Sequence, residues 1–133
     1  MDDPTSTDAV RRFLHDHIAT VAQLEILLLL QTNPHQKWAP AKVAHELRAD
    51  SAGTEQQLKL LEQHALVKRD SGGGYYYEPA TPELHAAVIS VAQAYLVRRV
   101  AVIEMIYSKP PDSLRAFSDA FRLRKEEPGA PSR

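Results

Sequence analysis

Six histidines are the residues of this chain that first invite a question about chemistry. His15 and His17 lie two apart, about 200° around a helix, and cannot share an ion from one face. His35, His45, His64 and His85 stand singly in the sequence. None has a carboxylate three or four residues away with a second histidine beyond it, the spacing a zinc site needs. Glu46 adjoins His45 and therefore points elsewhere on a helix. Cysteine is absent, which excludes disulfides and thiolate metal sites. No Gly-x-Ser-x-Gly, phosphate loop or dinucleotide fingerprint occurs, and Gly72-Gly73-Gly74 suits a hairpin tip rather than the start of a helix. The residues predict no enzyme, no metal and no cofactor.

Recognition chemistry has better material between residues 37 and 69. Thr54, Glu55, Gln56, Gln57, Lys59 and Gln63 are expected on the exposed side of one short helix. Gln56 and Gln57 can pair with adenine, and Lys59 can meet a phosphate or a guanine. Lys42, Lys68 and Arg69 are suited to phosphates, whereas Glu55 and Glu62 repel them. Lys37, Lys42, Arg48, Lys59, Lys68 and Arg69 stand against Glu46, Asp50, Glu55 and Glu62, and six minus four leaves only +2. The whole chain carries 16 Lys+Arg and 17 Asp+Glu, a net charge of -1, where a dedicated nucleic-acid binder is usually basic. Tyr75-Tyr76-Tyr77 has two uses. The rings can stack on bases, or alternate rings can pack beneath a hairpin against Trp38.

The elements that must position these residues can be read from pattern. Thr7 or Asp8 can cap a helix over about 8–31, broken near 19–22 where the apolar phase changes, and Asn33-Pro34 ends it. Lys37-Trp38-Ala39 suits a very short strand. Pro40 suits the first turn of a helix over about 40–48. Asp50 or Ser51 caps another over about 52–64, with Leu58, Leu60 and Leu61 facing inward. Leu66-Val67, the glycine tip and the tyrosines then predict a two-stranded hairpin over about 66–79. Thr81-Pro82-Glu83 starts a helix. With no breaker before Lys109-Pro110-Pro111, it is expected to run to 107, ~39 Å at ~1.5 Å per residue. Asp112 or Ser113 can cap a last amphipathic helix to about 126. The predicted division is a domain over 8–80 and a helical extension over 81–127, with flexible ends at 1–7 and 128–133.

The class is therefore mainly α, with a two-stranded wing after a helix-turn-helix and long C-terminal helices. On LEILLLLQTNP, WAPAKVAHEL, the LxxLxxHALVKRD step into GGGYYYEP, and TPEL, residues 8–107 resemble bacterial winged helix-turn-helix transcription regulators of the MarR-like and PadR-like kind. Those families usually place a glycine before the wing, where this chain has His64-Ala65, which predicts a slightly different turn. The resemblance implies a DNA-binding transcription regulator whose reader helix and basic wing engage double-stranded DNA, dimerised through its terminal helices. A homodimer surface is expected at Tyr95, Val102 and Ile106, with Leu114, Phe117 and Phe121 on the last helix. The alternative is a winged-helix protein-interaction module with weak or no DNA affinity, taking its partner on the C-terminal helix. The acidic, polar start MDDPTSTD and the longest apolar run, Ile26 to Leu30, predict a cytoplasmic chain with no membrane partner.

Overall fold

The computed structural model describes residues 7–108, in which six helices accompany one two-stranded antiparallel sheet. The first two helices, α1 (Thr7–His17) and α2 (Val21–Thr32), meet at a bend of 106°. The break falls where the apolar phase changes, and two side chains hold it. Thr20 accepts from Gln23 N at 3.1 Å as the cap of α2. Gln23, only 1% exposed, accepts from Ala19 N at 2.8 Å and donates to His17 O at 3.1 Å. One buried amide thus satisfies two backbone groups that the corner would otherwise leave open.

Helices α3 (Pro40–Leu47) and α4 (Ser51–Gln63) form the helix-turn-helix over α2. Pro40 opens α3, where a missing N–H costs nothing, and Arg48 ends it in the left-handed region at φ 54°. Asp50 caps α4 by accepting from Gly53 N at 2.7 Å. Val43, Ala44, Leu58 and Leu61 are buried between these helices and Leu24, Leu27 and Leu30. Strands β1 (Val67–Arg69) and β2 (Tyr75–Tyr77) pair as Val67 with Tyr77, Lys68 with Tyr76 and Arg69 with Tyr75. Trp38 supplies a one-residue third strand. Its N–H donates to Tyr75 O, and Tyr75 N donates to Trp38 O, both at 2.8 Å. The molecule is a winged helix of the α+β kind, as its sequence pattern predicts.

The expected continuous helix from 82 to 107 does not form. Instead α5 (Pro82–Val97) stops at Arg98, which takes φ -131° and ψ 56°, and α6 (Arg99–Ser108) turns away by 119°. Burial explains the break. A straight helix would carry Val102, Met105 and Ile106 past the end of the core, whereas the bend lays α6 on α1 and buries all three. That is worth roughly 4.5–9 kcal/mol at ~1.5–3 kcal/mol per side chain. The hydrogen bonds of one interrupted turn cost only about 0.5–1.5 kcal/mol each, so burial wins. Among the described residues, no single helix is long and apolar enough to cross a membrane.

Candidate nucleic-acid interface

The outer face of α4 and the wing are the surfaces on which the sequence concentrates recognition chemistry. Gln56 and Lys59 are exposed on α4. Thr54 is not, at 2% exposed. It shares the inward stripe of Leu58 and Leu61, spaced four and seven residues along, so its expected place on the reading face is corrected. Gln57 lies half-buried, and its side-chain carbonyl oxygen is fully buried with no hydrogen-bond partner. Leu60, expected inward, is 37% exposed.

On the wing, Lys68 and Arg69 are both exposed. Lys68 shares its strand position with the half-buried Tyr76, while Val67, Tyr75 and Tyr77 are buried beneath the hairpin. Packing, not stacking, therefore occupies two of the three tyrosines. Burial pushes the Tyr77 hydroxyl up to about 12, and this hydroxyl lies 2.8 Å from His85 Nδ1. Burial also raises Tyr75, and Glu62 and Glu55 of α4 raise it further while Arg69 opposes them. Acids of α4 and a cation of the wing thus act on one buried hydroxyl.

The tip of the wing is organised by Asp70. Its Oδ1 accepts from Gly74 N at 3.0 Å and Gly72 N at 2.9 Å, and Lys37 Nζ stands 3.6 Å from Oδ2. The Gly74 bond foremost, with Gly72 and Lys37 assisting, holds this carboxyl below its ordinary value. Gly73 sits at φ +89°, which a glycine adopts without strain. An aspartate two residues before a glycine run is an Asx-turn signal, and it is what could have identified Asp70 in advance.

Free positive charge on these surfaces is scarce. Lys68 Nζ lies 3.4 Å from Glu78, and Lys42 Nζ sits 5.7 Å from the centre of the Trp38 ring. Among the described residues, Lys59 and Arg69 have no ion pair. Exposed pairs such as Lys68–Glu78 are worth about 0–1 kcal/mol, so a phosphate can replace Glu78 at little cost. The surface can offer amide hydrogen bonds from Gln56 and a handful of cations.

Of the residues expected at a dimer surface, Val102 and Ile106 lie in the chain's own core, a consequence of the elbow at Arg98. Tyr95 is half-buried, and its hydroxyl donates to Glu25 Oε2 at 2.9 Å. Arg99 donates to the same oxygen at 3.0 Å and packs 4.8 Å from the Tyr95 ring. Leu114, Phe117 and Phe121 lie outside the described residues. Sequence spacing also could not foresee one meeting of histidines: His17 and His64, 47 residues apart, bring their Nδ1 atoms to 3.0 Å, so one ring donates to the other. Among the described residues, no group of three or more histidines, aspartates or glutamates is arranged to hold a metal ion.

Comparisons with known proteins leave the chain without an assigned family. No family model matches it, and no curated protein matches it. Among solved structures, it is similar to a candidate transcriptional regulator protein from Pseudomonas aeruginosa PA01. The two share 17% identity and a TM-score of 0.47, over 88% of this chain and 79% of that one.

Proposed function

We propose that this chain is a DNA-binding transcription regulator that engages double-stranded DNA with α4 and the wing, acting as a dimer. The observation that carries the reading is the helix-turn-helix followed at once by its wing, with Gln56 and Lys59 exposed on α4 and Lys68 and Arg69 exposed on β1. Gln56 approaches base edges. Lys42, Lys59, Lys68 and Arg69 meet phosphates. Gln57, whose carbonyl is buried, contributes less to readout than its sequence position implies. Variants separate these roles. Arg69→Ala and Lys68→Ala weaken binding on all duplexes alike and each lower the salt slope by about one, while Gln56→Ala changes sequence preference. An unchanged salt slope in both basic variants counts against the assignment.

The dimer surface belongs at the α5–α6 elbow, where Leu96 (86%), Val97 (78%) and Val100 (68%) are, among the described residues, the most exposed large apolar side chains. Such a cluster is what a partner covers, and a second copy suits a two-fold symmetric DNA site. The same elbow, with the near-neutral charge, favours a second reading: a protein-interaction module in which a different protein covers this surface. Recovery of a partner that Leu96→Asp abolishes, together with no DNA affinity at low salt, selects that reading.

A further inference from the structure

His64 stands at a joint. It caps the C-terminus of α4, and Ala65 and Leu66 carry the chain from it straight into β1 of the wing. Ala65 holds φ 63°, a conformation that a residue with a side chain keeps only where its surroundings impose it. Across the contact, His17 is the last residue of α1, and its carbonyl accepts from Gln23 at the α1–α2 corner. Two helix C-termini, each with partial negative charge, thus bring one histidine apiece to a half-buried meeting point.

Geometry decides what the two rings share. Their Nδ1 atoms are 3.0 Å apart, their centres 5.2 Å, and their planes cross at 85°. An ion ~2.1 Å from both nitrogens would draw the ring centres in to about 4.6 Å at that separation. At 5.2 Å the nitrogens face each other along one line, as a hydrogen bond requires. We infer that this pair is an acid-sensitive latch between α1 and the joint of α4 with the wing, closed while one of the two Nδ1 atoms carries a proton and opened when both do.

With both rings neutral, one Nδ1–H donates and the other Nδ1 accepts. A proton added at the far nitrogen of the donor ring keeps that bond and makes it charge-assisted. The next proton must go to the accepting Nδ1, so two N–H groups and two cations meet head-on. The helix ends, and Asp16 at the edge of the adjoining cleft, offset one charge but not that collision. Other charges on the surrounding elements are engaged or turned away. On α1 and α4 alike, the residues two and five before the pair (His15, Arg12, Glu62 and Lys59) lie roughly 140–200° round the helix. From α2 the neutral Gln23 lines the cleft, while Glu25 is held by Tyr95 and Arg99. His85 of α5 lies against Tyr77, Tyr107 of α6 accepts from Val21 N, and Lys68 of the wing pairs with Glu78. The cleft, ≈ 120 Å³ beside Ile18 and Leu60, gives a ring room to turn aside.

The latch does not rest on the DNA reading, and its test contains no DNA. The full chain, labelled with ¹⁵N, is carried from about pH 8 to about pH 5, across histidine's ordinary range. Two-bond ¹H–¹⁵N correlations report the proton on each ring nitrogen. At about pH 8 the two rings are expected in opposite tautomers, one of them protonated at Nδ1. The amides of Ala65 and Leu66, which donate to Glu62 O and Leu61 O, report opening through hydrogen exchange. Their protection, corrected for the intrinsic rate, is expected to fall tenfold or more by about pH 5. His64→Gln keeps a donor and an acceptor but cannot charge, so its protection changes less than twofold. His17→Gln does the same and carries the test should His64→Gln unfold. His85→Gln keeps the loss seen in the parent. Matching tautomers at about pH 8, no loss of protection in the parent, an equal loss in His64→Gln or His17→Gln, or a loss abolished by His85→Gln overturns the inference.

Discussion

Replacing Gln23 by leucine isolates what holds the corner between α1 and α2. The leucine keeps most of the volume and removes both side-chain hydrogen bonds, to Ala19 N at 2.8 Å and His17 O at 3.1 Å. Each bond has a net worth of about 0.5–1.5 kcal/mol, and a buried partner left unpaired adds about 1–3 kcal/mol. Ala19 is exposed, so its N–H finds water, and the penalty falls mainly on the His17 carbonyl. Leucine recovers part of the loss through apolar burial. The sum is a destabilisation of roughly 2–3 kcal/mol, or about 10–20 °C in Tm for a domain near this size. Urea unfolding followed by circular dichroism reads it directly. The midpoint should fall with an unchanged slope, because the surface exposed on unfolding is the same. A Gln23→Leu variant within ~0.5 kcal/mol of the parent refutes the reasoning, since the corner would then stand without the amide.

Ala65 sits at φ 63°, where a side chain costs about 1–2 kcal/mol. Ala65→Gly relieves that strain against ~0.4–1 kcal/mol of added unfolded-state entropy, so the variant should be about 0.5–1 kcal/mol more stable, and a lowered Tm contradicts the assignment. Tyr77, raised to about 12 by burial, keeps its proton in the fold after the unfolded chain has lost its own near 10. Its contribution is therefore full below pH ~10 and fades as pH climbs towards 12. Ultraviolet titration should show a late-ionising component that shrinks by one tyrosine in Tyr77→Phe, with the raised Tyr75 and Tyr95 supplying the rest; an unchanged late component in the variant removes the claim. At the elbow, Leu96→Asp with Val100→Asp should convert a dimer to a monomer by sedimentation while leaving the helical signal intact, and a persisting dimer rules the surface out.

Much of the architecture was legible because local signals agreed with one another. Pro40 at a first turn, Asp50 and Thr81 as caps, and the glycine tip before three tyrosines each specify a local conformation whatever the rest of the chain does. The elbow at Arg98 was not legible. No glycine or proline marks it, and α5 and α6 are apolar around most of their circumference, so periodicity points to no preferred face. The break is decided by burial against α1, a long-range contact that spacing does not encode. The same reason moved Val102 and Ile106 from an expected outer surface to the core. On α4, the stripe of Thr54, Leu58 and Leu61 was readable in the sequence, but the preference of threonine for exposure hid it. Glu25 and the His17–His64 contact depend on residues 70, 74 and 47 positions apart, beyond the reach of any local pattern.

The central claim is that this near-neutral chain holds duplex DNA with α4 and the wing. Fluorescence anisotropy of the full chain against pooled genomic duplexes, titrated over salt, tests it most directly. Lys42, Lys59, Lys68 and Arg69 from two protomers offer up to eight phosphate contacts, and at ~0.9 per contact a plot of log affinity against log salt should slope at roughly -4 to -7. A slope in that range, with binding that survives near 0.15 M salt, is the predicted result. No change in anisotropy at about 0.05 M salt, where phosphate contacts are strongest, contradicts it.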